Sequence, residues 1–347
     1  MRKPEMRKII IPIALLAALM LTTCSDRGAG ERITIRFATT AISDAFEGDG
    51  VCPMSVAKVF FMREIENRTN GRITVRLFPD GQLAATAEEN IVGLLNGTFD
   101  IFTMYTGGWH NVTPAFAGLN APYLFYSLEE VWAVLDSQIG QSWKQRAYED
   151  TGVRPVAFFD IGFRQLTNST HPITSVNDLA GVRLRTMPDA IQVAAWEALG
   201  ANVTPIPWTD LFAALEHRLV DAQENPPSNI VTARFYELQS YMTITNHNYT
   251  ATIPAIGPVF WNSLSSDDQE LILQVMREAQ EASRQKALTA DVEFMQYLRG
   301  TGIEIVELTI EQYLEFQNVA RTVWPMVADL IGQDEFDQLV RFVDAMR

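Results

Sequence analysis

The segment "GVRLRTMPDA" (residues 181–190) sets Arg183 and Arg185 two positions apart, with Val182 and Leu184 interleaved. Side chains alternate along an extended strand, so the apolar pair faces one side and both guanidiniums the other. A guanidinium presents a planar fork of donors that matches a carboxylate bidentately, a geometry lysine does not reproduce. Elsewhere, Arg164 sits in "GFRQ", Asn225 in "QENP" and Trp208 directly after Pro207. On spacing alone each has an ordinary reading: Arg164 as an exposed strand end, Asn225 as turn chemistry, Trp208 as core. Pro226 biases Asn225 toward extended backbone and out of helix, which suits a loop residue whose amide must point at a ligand.

The spacings that carry covalent or metal chemistry are missing from the sequence. There is no GxSxG, no Walker-type loop, no GxGxxG after a strand, no HExxH and no CxxC. His110, His171, His217 and His247 are dispersed without metal-ligand spacing and read as surface or packing residues. Glu88-Glu89, Glu129-Glu130 and Asp267-Asp268 fall at helix starts, where acidic residues favour the dipole. No cofactor or metal is expected, and nothing demands an enzyme.

The elements around these residues alternate. "RITIRFATT" (32–40) has the period of a strand, and "VAKVFFMREIENRTNGR" that of a helix ended by Asn70-Gly71. "ITVRLFPDG" (73–81), "AEENIVGLLNGTF" and "DIFTMYT" continue as strand, helix and strand, predicting βα units on a mostly parallel sheet. The pattern restarts at "VRPVAFFDIGFRQLTN" (153–168), followed by strand "GVRLRT", a helix from Pro188 to Leu199, strand "NVTPIP" and helix "TDLFAALEHRLV". Thr209 is the expected N-cap of that last helix, with Leu211, Phe212, Leu215 and Leu219 as its apolar stripe. Residues 265–300 read as one long charged helix able to reach across both halves.

The chain has 347 residues, 47% hydrophobic and 20% charged, with a formal charge of −15. That size predicts two domains. The acidity argues against nucleic acid and against a basic membrane-binding patch. "MRKPEMRK" followed by the apolar residues 9–21 has the form of a secretory signal peptide. Residues 1–23 are assigned to it and 24–31 to a polar tether. Losing residues 1–23, with four basic side chains and one acidic, takes the charge from −15 to −18. Leu21-Thr22-Thr23-Cys24 resembles a lipoprotein cleavage site with Thr23 in place of the usual small residue, making Cys24 the candidate lipid anchor. Cys52 is then alone, with no disulfide framework.

Three ordered stretches, "GFRQLTN" (162–168), "LAGVRLRTMPD" (179–189) and "IPWTDLFAALEHRLVDAQENP" (206–226), resemble the substrate-binding proteins of TRAP (tripartite ATP-independent periplasmic) transporters. The resemblance runs from about Ile33 to the C-terminus. It implies a periplasmic-binding-protein-like α/β fold: two α/β domains with a ligand cleft, linked by crossing strands and a long helix. The expected division is 32–160 with 247–290 as domain I, and 161–246 with 291–347 as domain II. Carried over by position, Arg185 matches the arginine that pairs with the ligand carboxylate and Asn225 the asparagine that bonds it. Arg164 matches a second cleft arginine, Trp208 the aromatic before the helix, and Tyr105 a polar contact from the first domain. Arg185 also lies at the carboxyl end of its strand, where open α/β sheets bind ligands, whereas Arg183 is expected to be solvated. The loop 42–55 is unusual for the family, and the safer reading of Cys52 there is packing. The implied function is a monomeric extracytoplasmic receptor for a small organic carboxylate. Its implied partners are the small and large membrane subunits of a TRAP permease. The alternatives are a receptor feeding a sensor and an enzyme on a binding-protein fold.

Overall fold

The computed structural model describes residues 32–347, so the signal peptide, the tether and Cys24 lie outside the described residues. The first sheet combines β1 (Ile33–Thr39), β2 (Ile73–Phe78), β3 (Ile101–Tyr105), β4 (Arg154–Pro155), β5 (Phe159–Phe163) and β11 (Tyr249–Ile256). Its order is β2-β1-β3-β11-β4, with β5 also on β11. The second runs β12-β10-β6-β9-β7-β8. Its strands are β6 (Gln165–Asn168), β7 (Arg183–Thr186), β8 (Asn202–Pro205), β9 (Ala222–Asn225), β10 (Tyr241–Ile244) and β12 (Glu304–Glu307).

Both sheets are mixed rather than mostly parallel. β1 pairs in parallel with β2 and β3, and β7 with β8 and β9. β11 runs against β3, β4 and β5, and β6 runs against β9 and β10. The cause is the double crossing. The chain leaves the first sheet through β5 into β6 and returns through β10 into β11, so in each sheet a crossing strand runs against its neighbours. The crossings touch where the Arg164 N–H donates to the Asn248 carbonyl at 2.8 Å.

Helices α1 (Pro53–Arg68), α2 (Ala87–Asn96), α3 (Thr106–Trp109), α4 (Leu128–Asp136), α5 (Gln138–Thr151) and α9 (Pro258–Ser263) belong to the first lobe. The second carries α6 (Ala190–Ala198), α7 (Trp208–Glu216), α8 (Pro227–Thr232) and α11 (Ile310–Ala320). The acidic pairs fall where expected, in the first turns of α2, α4 and α10 (Ser266–Arg299). α10, 34 residues and about 50 Å long, places Phe294 in the first lobe's core and Leu298 in the second's. The last two helices, α12 (Trp324–Ile331) and α13 (Gln333–Asp344), depart from the expected division. Val327, Leu339 and Val343 pack with Trp143 and Phe116 in the first lobe's core. Trp143 Nε1 donates to Glu335 at 2.9 Å, and Trp324 Nε1 to the Pro122 carbonyl at 2.9 Å. Apolar surface left by α4 and α5 draws the chain end back across, so residues 324–347 leave the second lobe while β12 and α11 stay with it.

Local differences have similar causes. α6 starts at Ala190 rather than Pro188, because the Asp189 carboxylate accepts the Ile191 N–H at 2.8 Å and acts as N-cap. α7 starts at Trp208, leaving Thr209 inside the first turn without a capping role. Leu211 and Leu215 are buried, but α7 ends at Glu216 and Arg218 takes a left-handed φ of 53°. That turn leaves Leu219 exposed, and Phe212 lies on the solvent side of the helix. Cys52 is fully buried at the N-cap of α1, its Sγ 3.3 Å from Ser55 Oγ.

One irregularity matters for the site. Thr250 pairs with Gly162 but Ala251 with Asp160, so β5 carries a bulge just before Arg164. Gly162 has φ of 130°, a conformation side chains rarely adopt, and a Cβ there would lie 3.2 Å from Asp291 Oδ1. Asp291 reaches this point from α10 without an ion pair among the described residues, and burial lifts its carboxyl from 3.8 to about 6. The folded protein therefore holds this proton up to about pH 6 while the unfolded chain releases it near 3.8, so stability falls as pH rises through that window. Asp291→Asn is expected to raise the urea midpoint at pH 8, with the advantage gone below pH 4. An equal gain at both pH values would assign it to packing.

Candidate functional site

The carboxyl ends of β3, β7 and β9 and the start of α7 converge on a cavity of about 360 Å³ between the lobes. Tyr105, Arg164, Arg185, Trp208 and Asn225 all line it. Sequence reasoning thus gathers five residues from four separate segments that the fold brings to one place.

The two cleft arginines differ in their partners. Arg164, only 1% exposed, is locked by the fold. Its Nε and Nη2 donate to the Glu224 carboxylate, Nη2 also to the Glu224 carbonyl, and Nη1 to Thr250 Oγ1 at 3.1 Å. His247 Nε2 sits 3.0 Å from the same carboxylate, while its Nδ1 lies 2.8 Å from Thr245 Oγ1. Burial would raise the Glu224 carboxyl, but Arg164 and His247 outweigh it and hold it near 2. Burial pushes the His247 imidazole below its ordinary value despite Glu224. His247 is thus neutral and donates from Nε2 to the ionised carboxylate. Arg164 and Glu224 cancel as a charge pair.

Arg185 is equally buried, at 1% exposed, and has no such neutraliser. Its Nε donates to the Ile206 carbonyl at 2.8 Å, and among the described residues no ion pair forms to its guanidinium. Burial brings it down from 12.5 to about 9, with Glu224 opposing, so it stays a cation at neutral pH. The two terminal nitrogens remain for whatever occupies the cavity. Arg183, two residues back, is exposed and forms a bidentate pair with Asp221 at 2.6 and 2.8 Å.

Asn225 is the last residue of β9, not a loop residue, because it stays in register with Gln165 of β6. Its Oδ1 accepts from Asn229 Nδ2 at 3.1 Å and its Nδ2 donates to Gln223 Oε1 at 2.5 Å. That leaves one amide proton for the cavity. The Tyr105 hydroxyl is buried without a hydrogen-bond partner, and burial raises its pKa further above the ordinary value, so it stays protonated as a donor. Sequence reasoning missed Glu224, beside Asn225 in the same "QEN", and also missed the role of His247. A buried carboxylate that neutralises one arginine and spares the next leaves no local pattern.

The lobes touch across the cavity mouth. Tyr105 faces Trp208 with ring centroids 6.3 Å apart, His110 Nδ1 lies 3.0 Å from Asp189 Oδ1, and Asn111 Nδ2 donates to the Pro188 carbonyl at 3.0 Å. At Gly107 a Cβ would fall 2.3 Å from Met187 Sδ and 2.9 Å from Asp189 Oδ2. Gly107→Val should therefore hold the lobes apart, since overpacking costs about 1–3 kcal/mol in the closed form alone. The expected result is a larger radius of gyration in small-angle scattering than for the wild type. An unchanged radius would show that the cleft closes by another path.

Two α/β lobes joined by paired crossings, with a buried cation facing the cavity between them, define a two-lobed ligand-binding protein. The chain belongs to the bacterial extracellular solute-binding proteins, family 7, whose family model matches residues 53–329. It is 35% identical over 284 residues to a solute-binding protein of Roseobacter denitrificans, covering 80% of this chain and 86% of that one. Among solved structures, it is similar to the sugar acid binding protein of Advenella mimigardefordensis in complex with galactonate. That match has a TM-score of 0.85 and 26% identity, and covers 91% of this chain and 99% of the other. It is also similar to a TRAP periplasmic solute-binding protein of Sulfurospirillum deleyianum with bound succinate. There the TM-score is 0.82, the identity 27%, and the coverage 89% and 99%.

Proposed function

We propose that this chain is an extracytoplasmic receptor that closes on a small organic carboxylate and hands it to a TRAP-type permease with small and large membrane subunits. The observation that carries the reading is Arg185, a buried guanidinium whose terminal nitrogens face a cavity and meet no carboxylate among the described residues. Burying an unpaired charge is costly, so its natural complement is an anion carried by the ligand. Asn225 and the Tyr105 hydroxyl supply further donors toward the same oxygens. Arg164, neutralised by Glu224, positions the crossing strands rather than taking the ligand charge. Trp208 and Tyr105 close the aromatic side.

The galactonate and succinate in the Advenella and Sulfurospirillum structures support an organic acid as the ligand. Membership of a family of solute-binding proteins favours binding without turnover over an enzyme. Export through residues 1–23, a lipid anchor at Cys24 and a monomeric state complete the reading, the first two supported by the N-terminal sequence pattern. A thermal-shift screen of organic acids on the wild type and Arg185→Ala tests the core of it. The expected result is acid-dependent stabilisation of the wild type only, and equal shifts in both proteins would overturn the anchor assignment.

A further inference from the structure

Resting on that reading, we infer that the ligand carries a single carboxylate, an apolar body and a neutral hydrogen-bonding group at its far end. It is neither a dicarboxylate nor a polyhydroxylated sugar acid. The charge count comes first. Two cations line the cavity, Arg164 and Arg185, and Arg164 is already neutralised by Glu224. One negative charge satisfies Arg185, and a second would enter a cavity with no unpaired cation left on its lining to receive it.

The other plausible receiver of a second carboxylate is the N-terminus of α2, which borders the cavity through Ala85, Thr86 and Ala87. Helix N-termini attract anions through their free N–H groups. Here the first turn already carries an anion beside that end. The Glu89 carboxylate accepts from the Ala85 N–H at 2.9 Å and the Thr86 N–H at 3.1 Å, and Thr86 Oγ1 takes the Glu89 N–H. Those backbone donors hold the Glu89 carboxyl below its ordinary range. Glu88, on the same turn, also lines the cavity. A ligand carboxylate arriving there would meet Glu88 on the lining, with the exposed Glu89 on the same turn.

The walls fix the remaining chemistry. Phe102, Met104, Met187 and Trp208 present apolar or aromatic surface between scattered polar groups (Thr40, Thr86, Asn90 and Asn111), which favours an apolar body over a chain of hydroxyls. Set into the first-lobe wall is Asn90, on the cavity side of α2 and 2% exposed, whose Oδ1 has no hydrogen-bond partner. An orphaned buried acceptor costs free energy until something donates to it. A ligand hydroxyl opposite the carboxylate end supplies that proton. The volume of about 360 Å³ lies near the lower end of the ~300–1,000 Å³ usual for small-ligand sites.

Titration calorimetry with three matched sets tests this: succinate, 4-hydroxybutanoate and butanoate; adipate, 6-hydroxyhexanoate and hexanoate; terephthalate, 4-hydroxybenzoate and benzoate. In the set that fits best, the hydroxy acid should bind about tenfold or more tighter than the dicarboxylate, and also tighter than the plain acid. Asn90→Leu should erase the advantage over the plain acid while leaving the plain acid's affinity in place. Glu89→Gln, at an exposed position, should narrow the gap to the dicarboxylate. The wild-type ranking decides the matter even where a variant fails to fold. A dicarboxylate that binds tightest and still requires Arg185 would overturn the ligand class while sparing the receptor reading. Binding of none of the nine acids, or binding indifferent to Arg185→Ala, would overturn the receptor reading and this inference with it.

Discussion

Arg185→Met is expected to abolish carboxylate binding and, at the same time, to raise the melting temperature of the ligand-free protein. The two effects share one cause. Truncating one member of a desolvated, hydrogen-bonded charge pair costs about 2–5 kcal/mol, or roughly 30-fold to several-thousand-fold in Kd. Without ligand the same guanidinium is a buried charge with no carboxylate of its own, held by one bond to the Ile206 carbonyl. Replacing it with an apolar side chain of similar length removes a desolvation cost on the order of 1 kcal/mol or more. Calorimetry for binding and a melting curve without ligand check both halves. A variant that loses both binding and stability would mean that Arg185 holds the lobe together instead.

Glu224→Gln should do the reverse, lowering stability sharply. It leaves Arg164 buried without its counter-charge, and breaking a buried pair from one side costs about 3–5 kcal/mol. The pH dependence follows from the depressed carboxyl, held near 2 against an ordinary 4.5. A carboxylate lowered in the fold contributes stability that is fully present above pH 4.5 and is lost as pH falls toward 2. The wild type should therefore lose stability over that acid range, and Glu224→Gln, already weakened at pH 7, should lose less of it. Urea melts at pH 7 and pH 3 measure the difference. A variant as stable as the wild type at pH 7 would show that water reaches the pair.

The sequence carried most of the site because its anchor residues lie in short runs whose order is distinctive. Arg185 in "GVRLRT", Arg164 in "GFRQ" and Asn225 in "QENP" meet at one cavity. Strand alternation also grouped Arg183 with Arg185, and only their depth along β7 separated them: Asp221 holds the first at the surface, and burial takes the second. What sequence could not yield was pairing over distance. The neutralisation of Arg164 joins β6, β9 and the β10–β11 crossing through Glu224 and His247. The return of α12 and α13 to the first lobe depends on which apolar faces remain uncovered once the sheets form. The sheet directions missed for a related reason, since βα alternation describes neighbours in the chain while a double crossing pairs strands from opposite ends of it.

The contacts across the cavity mouth also have a kinetic meaning. Tyr105 against Trp208, His110 on Asp189 and Asn111 on the Pro188 carbonyl narrow the way out for an occupant, and parting the lobes would widen it. The occupant's residence time is then expected to depend on an opening step as well as on its contacts with the cavity wall. Asn111→Ala should accordingly shorten the residence time of different acids by a similar factor, read as dissociation rates in stopped-flow fluorescence. For a carrier that must surrender its cargo at a membrane, this separates two jobs: the floor of the cleft chooses the passenger, and the rim sets the timetable.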